Sequence, residues 1–400
     1  MKRRLHSGFR RWALLAVLSL AASCSVLWVL SPHLFLPDAD VYFAPAMSQD
    51  VRAQLEHFYH VWDDPVRRES ALDAMHQQNP EWELISSTFF GYSLANIALK
   101  HPSARDRALR CMDLIIDRTL KKPWQTFLLP YGHERPFVRK PAASLMVDGE
   151  VSLLIGLRRL VRDEPDDRHR DRHRSLVKRC VQAMEAGPVL WAESYPDECW
   201  LFCHGLALAS VKVFDVLEGT DHSDLFRRWE RTARKRLLDK NTGILFSAVT
   251  RSGEMVQPPE GSSIWIGIYG LKLVAPTFAR EQYELAKRRM TGKLACFRYG
   301  REWATGVRGQ WDIDSGCVPA GMGPASTGFA LIASKEMNDR DLFNGLVGTV
   351  ELAGVPKERD GRMWYCSSNL VGDATFLLGK TTGPAWAEVQ RRSKTKAEPP

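Results

Sequence analysis

From residue 50 onwards the chain alternates between two hydrophobic patterns. In the first, apolar positions recur three and four residues apart among charged ones, as at Leu109, Met112, Ile115 and Ile116. That spacing lines one helical stripe with apolar side chains and leaves the other faces to solvent. Residues 50–63, 103–120, 174–186, 223–238, 276–294 and 339–352 read this way. The second pattern is apolar nearly all round and rich in small residues. It covers residues 88–99, 149–161, 197–217, 262–274, 326–334 and 371–378. A helix that is apolar on every face has to be buried. Amphipathic and buried helices in strict alternation predict an inner ring wrapped by an outer one. The fold class is therefore all-α, an (α/α)6 toroid of six helical hairpins.

The connections are unequal in a regular way. Turns from a buried helix to the next amphipathic one are short, as in Glu218-Gly219-Thr220-Asp221 or Ala275-Pro276. Connections in the other direction are long and aromatic, at residues 121–147, 238–261, 295–315 and 355–369. They carry short β pieces, clearest at residues 244–250 before the turn Arg251-Ser252-Gly253. In a toroid all the long loops crowd onto one face, and long structured loops in a compact body are usually functional. An α-solenoid is a poor fit, because its repeats are shorter than the roughly 45 to 65 residues between successive buried helices here. A membrane bundle fails because most buried stretches are too short to span.

Upstream, residues 12–30 read WALLAVLSLAASCSVLWVL without a charge, after Lys2, Arg3, Arg4, Arg10 and Arg11. A helix of that length, rising about 1.5 Å per residue, matches the thickness of a bilayer core. Flanking cations predict a cytoplasmic tail over residues 1–11, one transmembrane anchor over 12–30, and an exported body. A Pro-containing linker over 31–49, the toroid over 50–389 and a disordered tail over 390–400 complete the expected organisation. The expected location is the cell membrane, single-pass, with the body on the periplasmic or extracellular side. Ala21-Ala22-Ser23 ahead of Cys24 leaves open a cleaved or lipidated leader, with the same sidedness.

Composition changes this picture little. Hydrophobic residues at 44% and charged residues at 26% describe an ordinary globular chain. The net charge of +8 owes five cations to the N-terminal tail, and residues 166–174 (DDRHRDRHR) read as a solvated mixed-charge turn. No nucleic-acid partner is expected, while an oligomer stays open. Eight cysteines form no CxxC pair and no His/Cys cluster, so neither a metal nor a cofactor is expected. Gly321-Met322-Gly323-Pro324 lacks the Lys-Ser/Thr ending of a phosphate loop.

Acids gather at or near the starts of the buried helices: Asp148 and Glu150, Asp197 and Glu198, Glu260, then Asp312 and Asp314. Each alone fits helix capping. Together they predict a polar cavity in which carboxylates act as general acid and base, with burial setting their proton affinity. The densest stretch is Tyr195-Pro196-Asp197-Glu198-Cys199-Trp200-Leu201-Phe202-Cys203-His204. Asp197 leads as acid or base, with Glu198 second and Asp314 and Asp148 behind. Cys199 and Cys203, four apart on a predicted helix, share a face. His204 reads as structural, and His133 in a long loop is the catalytic-histidine candidate. Tyr195, Trp200, Glu260, Trp265 and Trp311 are the substrate-binding candidates, since aromatic platforms suit sugar rings and hydrophobic ligands alike.

The Tyr195 to His204 stretch, taken with the alternating helices, resembles the linalool dehydratase/isomerase family, over roughly residues 50–389. In that family a Pro-containing stretch runs into a helix bearing an active-site cysteine, the position of Cys203. The family's second, upstream cysteine corresponds to Ser194. The resemblance implies a cofactor-independent lyase or isomerase working by acid/base chemistry on small terpene-type alcohols. Two other readings stay open. One is a glycoside hydrolase or polysaccharide lyase using two carboxylates such as Asp197 and Asp314. The other is a non-catalytic envelope protein that binds a ligand. The expected partners are thus a small-molecule or glycan substrate and the membrane.

Overall fold

The computed structural model describes residues 2–122, 137–138, 140, 142–164, 166–307, 309 and 312–397. The first element is helix α1 (Lys2–Phe35), whose side chains are exposed from residue 11 to residue 26. Among the described residues no helix is long and apolar enough to cross a membrane. The body then runs α2 (Gln49–Trp62), α3 (Pro65–Gln78), α4 (Pro80–Lys100), α5 (Arg105–Lys121), α6 (Leu145–Val161) and α7 (Arg170–Glu185). Strand β1 (Cys199–Trp200) leads into α8 (Leu201–Glu218) and α9 (Ser223–Arg236), and β2 (Ala248–Val249) and β3 (Met255–Gln257) precede α10 (Gly261–Val274). After α11 (Pro276–Arg289) come β4 (Thr291–Leu294) and β5 (Phe297–Gly300), then α12 (Pro324–Glu336) and α13 (Arg340–Gly354). Strands β6 (Pro356–Arg359) and β7 (Arg362–Tyr365), α14 (Leu370–Thr381) and α15 (Pro384–Ala397) finish the chain.

The buried helices close on themselves. Helix α4 packs on α6, α6 on α8, α8 on α10, α10 on α12, α12 on α14, and α14 returns to α4. Amphipathic helices wrap the outside: α5 against α4 and α6, α7 against α6 and α8, α11 against α10, α13 against α12, and α2 against α14. Each turns its apolar stripe inward, as Leu109, Met112, Ile115 and Ile116 of α5 do, all of them buried. The alternation in sequence is thus the alternation of inner and outer rings.

Close approach of the inner helices depends on small residues. A Cβ on Gly270 of α10 would lie 2.0 Å from the carbonyl oxygen of Gly205 on α8, and 2.8 Å from its Cα. Only glycine on both helices permits this contact. At the far end of the ring α15 acts as a plug, packing on α4, α6 and α8. Its Trp386 stacks on Tyr269 with centroids 4.5 Å apart and donates from Nε1 to the Tyr269 carbonyl at 2.9 Å.

Several boundaries differ from the sequence reading, for local reasons. The helix expected from residue 197 begins at Leu201, because Tyr195-Pro196-Asp197-Glu198 folds as a tight turn instead. Cys199 lies in β1 opposite Val249, so it does not share a helical face with Cys203. The helix expected from residue 88 begins at Pro80, with Asn79 capping it through its side chain. Residues 170–174, read as part of a charged turn, form the first turns of α7. The stretch 276–294 divides into α11 and β4, and α15 runs through residues read as a disordered tail.

The glycine contact carries a test. Gly270→Val should force α8 from α10 at a cost of about 3 kcal/mol or more. Thermal unfolding should show a midpoint lowered by roughly 4 °C or more. An unchanged midpoint would mean the two helices do not meet there.

Candidate active site

All six inner helices contribute N-terminal residues to one cavity of about 1040 Å³. Trp82 and Ile85 come from α4, Met146 from α6, Cys203 from α8, Ser263 from α10, Thr327 from α12 and Thr375 from α14. The inner helices therefore run parallel and aim the positive ends of their dipoles at the same space. Such an end favours carboxylates.

The segment before α8 forms one wall. Glu198 N donates to the Tyr195 carbonyl at 3.0 Å, and Ser194 N donates to the Glu198 carbonyl at 2.8 Å. Pro196 fills the second position of this turn, and Asp197 the third with φ of 57°, as a type II turn requires. Glu193 holds the turn from below, accepting from Asp197 N at 2.9 Å and from Val138 N at 2.8 Å. The turn swings Tyr195 inward, where its hydroxyl donates to Glu81 Oε1 and lies 3.5 Å from Met146 Sδ. Glu198 faces the cavity and accepts from Trp200 Nε1 at 3.1 Å.

Cys203 stands in the first turn of α8, and burial holds its thiol well above the usual pKa, with the Ser194 hydroxyl acting in the opposite direction. It is a neutral thiol near neutral pH. Below it Glu150 of α6 is fully buried, and Thr88 Oγ1 donates to its Oε2 at 2.5 Å. Burial pushes the Glu150 carboxyl up to about 8.

The other acids lie against the starts of α4 and α10. Asp314 Oδ1 accepts from Trp82 Nε1 at 2.7 Å and from Asn79 Nδ2 at 2.9 Å. Its loop is set by Asp312, whose Oδ1 accepts from the backbone N–H groups of Asp314 and Ser315 at 3.0 and 2.8 Å. Burial raises Asp314 to about 6 against the pull of those two donors, with Asp312 adding like charge. Glu260, at the start of α10, accepts from Gln257 Nε2 at 2.6 Å and is raised by burial to about 8. Glu302 lies behind it, accepting from Ser262 N and Ser262 Oγ at 3.1 and 2.6 Å, and burial raises it too. Aromatic and aliphatic side chains fill the rest of the wall. Phe202 meets Phe329 edge-on at 5.8 Å and stacks on Phe89 at 6.1 Å.

The structure brings together Tyr195, Glu198, Trp200, Cys203, Glu260 and Asp314 of the predicted residues. Others lie elsewhere. Asp197 is not among the cavity-lining residues, and its carboxylate accepts from Arg251 N at 3.1 Å. A residue with positive φ at the tip of a turn points its side chain away from the wall that the turn builds. Asp148 is also off the cavity, ion-paired with Arg179 of the outer helix α7. Trp265 is core, buried and donating to Ser326 Oγ at 3.2 Å while meeting Tyr283 edge-on at 6.0 Å. His204 is structural: Nε2 accepts from Ala192 N at 2.8 Å, Nδ1 lies 2.9 Å from the Trp200 carbonyl, and burial lowers it to about 4. His133 and Trp311 lie outside the described residues.

Glu81, Trp82, Asn79 and Glu302 were missed by the sequence reading. The first three follow from a helix start signal, Asn-Pro-Glu at residues 79–81, that places the start of α4 two turns earlier than its apolar run. Glu302 had no such signal, because it caps α10 across a tertiary contact of 40 positions.

Residues 149–370 match the sequence profile of one family, described as linalool dehydratase/isomerase. The matched span includes Cys203 and Asp314 but not the start of α4. Among solved structures, a GH76 α-mannanase of Bacteroides thetaiotaomicron aligns with a TM-score of 0.45 at 8% identity, over 77% of this chain and 87% of that one. So loose a likeness carries nothing about chemistry.

Glu150 yields a pH test. Its folded pKa lies above its ordinary value of 4.5, so its contribution to stability is full below that pH and lost as pH rises through about 8. Relative to Glu150→Gln, the wild-type melting midpoint should therefore fall between about pH 5 and about pH 9, by roughly 4 °C or more. A constant difference across that range would place the carboxyl in contact with water.

Proposed function

The chain belongs to the linalool dehydratase/isomerase family, and on that footing we propose that it is a cofactor-independent lyase or isomerase using acid/base chemistry on an alcohol. One observation carries the reading. Asp314, a carboxyl raised to about 6, sits with two fixed donors in a cavity whose other walls are largely apolar. Such a group is protonated often enough to give a proton and ionised often enough to take one.

Asp314 protonates the substrate hydroxyl. The C–O bond breaks, and water leaves with the bonding pair. The electron pair of an adjacent C–H bond forms the C=C bond, and that proton passes to a base. Isomerisation returns water to a different carbon by the reverse steps. The Tyr195–Glu81 pair is the second proton-transfer unit, because the phenol already donates to the carboxylate. Cys203, neutral and buried beside them, supplies a weak donor and shape rather than a thiolate. No electrons are exchanged with an outside acceptor, so the sequence needs no redox group.

A glycosidase reading keeps one observation in its favour: Glu198, Glu260, Asp312 and Asp314 line the same cavity. The pair Asp197 and Asp314 no longer serves it, since Asp197 turns away. Release of reducing ends from envelope glycans would favour this second reading.

Membrane attachment through α1 belongs to the proposal. It rests on the basic residues that precede residues 12–30 and on the exposed apolar side chains of that helix, Leu14, Leu15, Val17, Leu18 and Leu20 among them. The body would then lie on the periplasmic or extracellular side.

Three measurements test these points. Asp314→Asn should lower kcat on a terpene alcohol by about 10²- to 10⁴-fold with an unchanged melting midpoint, as read by gas chromatography of the products. The wild-type rate should decline as pH rises through about 6, since the acid must carry its proton. Full turnover by the variant would remove Asp314 from the mechanism. Separately, the full chain should stay with membranes after an alkaline carbonate wash, and a chain lacking residues 1–30 should not. Recovery of the full chain in the wash would rule the anchor out.

A further inference from the structure

The charge of the cavity is one-sided. Glu81, Glu198, Glu260, Asp312 and Asp314 line it, and among the described residues no lysine, arginine or histidine does. Acids buried elsewhere in the fold have cations beside them, as Glu83 has Arg118 and Lys122, and Asp148 has Arg179. Among the described residues Glu198, Glu260, Glu302, Asp312 and Asp314 take part in no ion pair. Arg301 lies 5.7 Å from the centroid of the Tyr299 ring and is not one of the lining residues.

Four of these acids form one group. Like charge on Glu302, Asp312 and Asp314 adds to burial in raising Glu260, and Asp312 and Asp314 act on Glu302 in the same way. Glu260 stands at the N-cap of α10, yet its side chain makes no capping bond. It is 4% exposed, and only its Oε2 is bonded, to Gln257. Its Oε1 has no hydrogen-bond partner among the described residues, in a side chain that lines the cavity. Glu302 is fully buried with Oε2 unpartnered, 2.5 Å from where a Cβ on Gly323 of the cavity wall would stand. Helix capping therefore leaves both carboxyls with an oxygen unused.

Aromatic rings share the wall with this group. Trp82 donates from Nε1 to Asp314 at 2.7 Å, so an indole stands beside the acids, and Trp200 and Tyr299 also line the cavity. Carboxylates and aromatic faces have one ligand class in common, the organic cation, which both attract electrostatically. Among the described residues no three acidic, histidine or cysteine side chains stand close enough to hold a metal ion. A carbon-substituted cation also matches the apolar remainder of the wall, which a hydrated metal ion does not.

We propose that the ligand of this cavity carries a positively charged nitrogen, an ammonium or quaternary ammonium group held by Glu260, Asp312 and Asp314 with Trp82 beside it. The favoured alcohol of the reaction proposed above then bears such a nitrogen. The inference rests on the lyase or isomerase reading for the reaction, but not for the binding. The ligand's charge takes the place of the proton that burial and like charge keep on Glu260 up to about pH 8, so binding and deprotonation are linked.

The test is calorimetric titration of the full chain in detergent with hexyltrimethylammonium, whose charge does not vary with pH, and with hexanol and hexanoate. Near pH 8 the cation should bind about tenfold more tightly than hexanol, and hexanoate more weakly than either. Its affinity should rise by about tenfold from pH 6 to about pH 9, as the carboxyls lose their protons, while that of hexanol stays level. Glu260→Gln should weaken the cation by about fivefold or more and leave hexanol unchanged. Asp312→Asn, in an exposed loop, should do the same and keeps the test open if the first variant fails to fold. Hexanol binding as tight as the cation, a level pH profile for the cation, or an affinity unmoved in both variants overturns the proposal. Cation binding as expected, with no alcohol turned over, sustains the site and sinks the lyase reading. Turnover of a neutral alcohol without cation binding keeps that reading and overturns the inference.

Discussion

The closed contact between parallel inner helices is the constraint on which the rest of this structure depends. Helices that are apolar on every face need neighbours on both sides as well as behind, and a ring is the arrangement that supplies them to all six alike. Closure of α14 onto α4 removes the last unpaired side. At the tightest point, Gly205 against Gly270, nothing larger than hydrogen fits between backbones. Once the inner helices are parallel, every N-terminus must face one end of the ring and every C-terminus the other. The cations sort accordingly. Lys100, Lys272, Lys335 and Lys380 all fall in last turns. Lys380 is fully buried, and Asp50 Oδ2, Glu351 Oε1 and Tyr365 Oη lie 2.7, 2.8 and 2.7 Å from its Nζ. It binds α14 to α2, α13 and β7, where loss of an acid partner would strand a charge.

The other end inherits the opposite problem. Six helix starts leave N–H groups unpaired by intrahelical bonds, and acids near them satisfy both the donors and the dipoles. Yet these acids sit in a cavity where burial works against ionisation. The outcome differs from residue to residue. Asp314, with Trp82 and Asn79 both donating to it, rises only to about 6, whereas Glu260 and Glu150, each with a single side-chain donor, rise to about 8. Groups of one chemical type are thus set apart in proton affinity by the number of donors and the depth of burial. Such separation is what acid/base chemistry near neutral pH requires.

What was legible in the sequence follows from the same physics. Periodicity reports burial over long stretches, so inner and outer helices could be told apart, and the face bearing the site could be chosen from loop length. Asp314, Glu198, Glu260, Tyr195, Trp200 and Cys203 were within reach because they lie at or near those helix starts. Orientation within a turn was not. Asp197 occupies a type II position that sends its carboxylate to Arg251, and periodicity does not encode φ. Asp148 looked equivalent to Glu150 in sequence, yet two positions on a helix turn it through more than half a revolution, from the ring interior to Arg179 on the outside. Trp265 failed for a related reason, since a large aromatic at a helix start serves the inter-ring core as readily as the mouth. Glu302 depends on a contact between distant segments, which no local pattern carries.

The departure at Ser194 bears on how the remaining cysteine works. A second thiol beside the first can assist its ionisation or bond with it. Among the described residues the Ser194 hydroxyl is the side chain that draws the Cys203 pKa down, and a hydroxyl can do neither. Buried, and with the Glu81 carboxylate adding unfavourable charge, the Cys203 thiol keeps its proton. Nucleophilic attack from sulfur therefore has no driving arrangement at neutral pH. The proton-bearing groups around it do: a phenol already donating to Glu81, a carboxyl near 6 with two fixed donors, and a protonated acid beneath. The cavity thus sets proton-bearing groups against largely apolar walls, with sulfur as part of the wall.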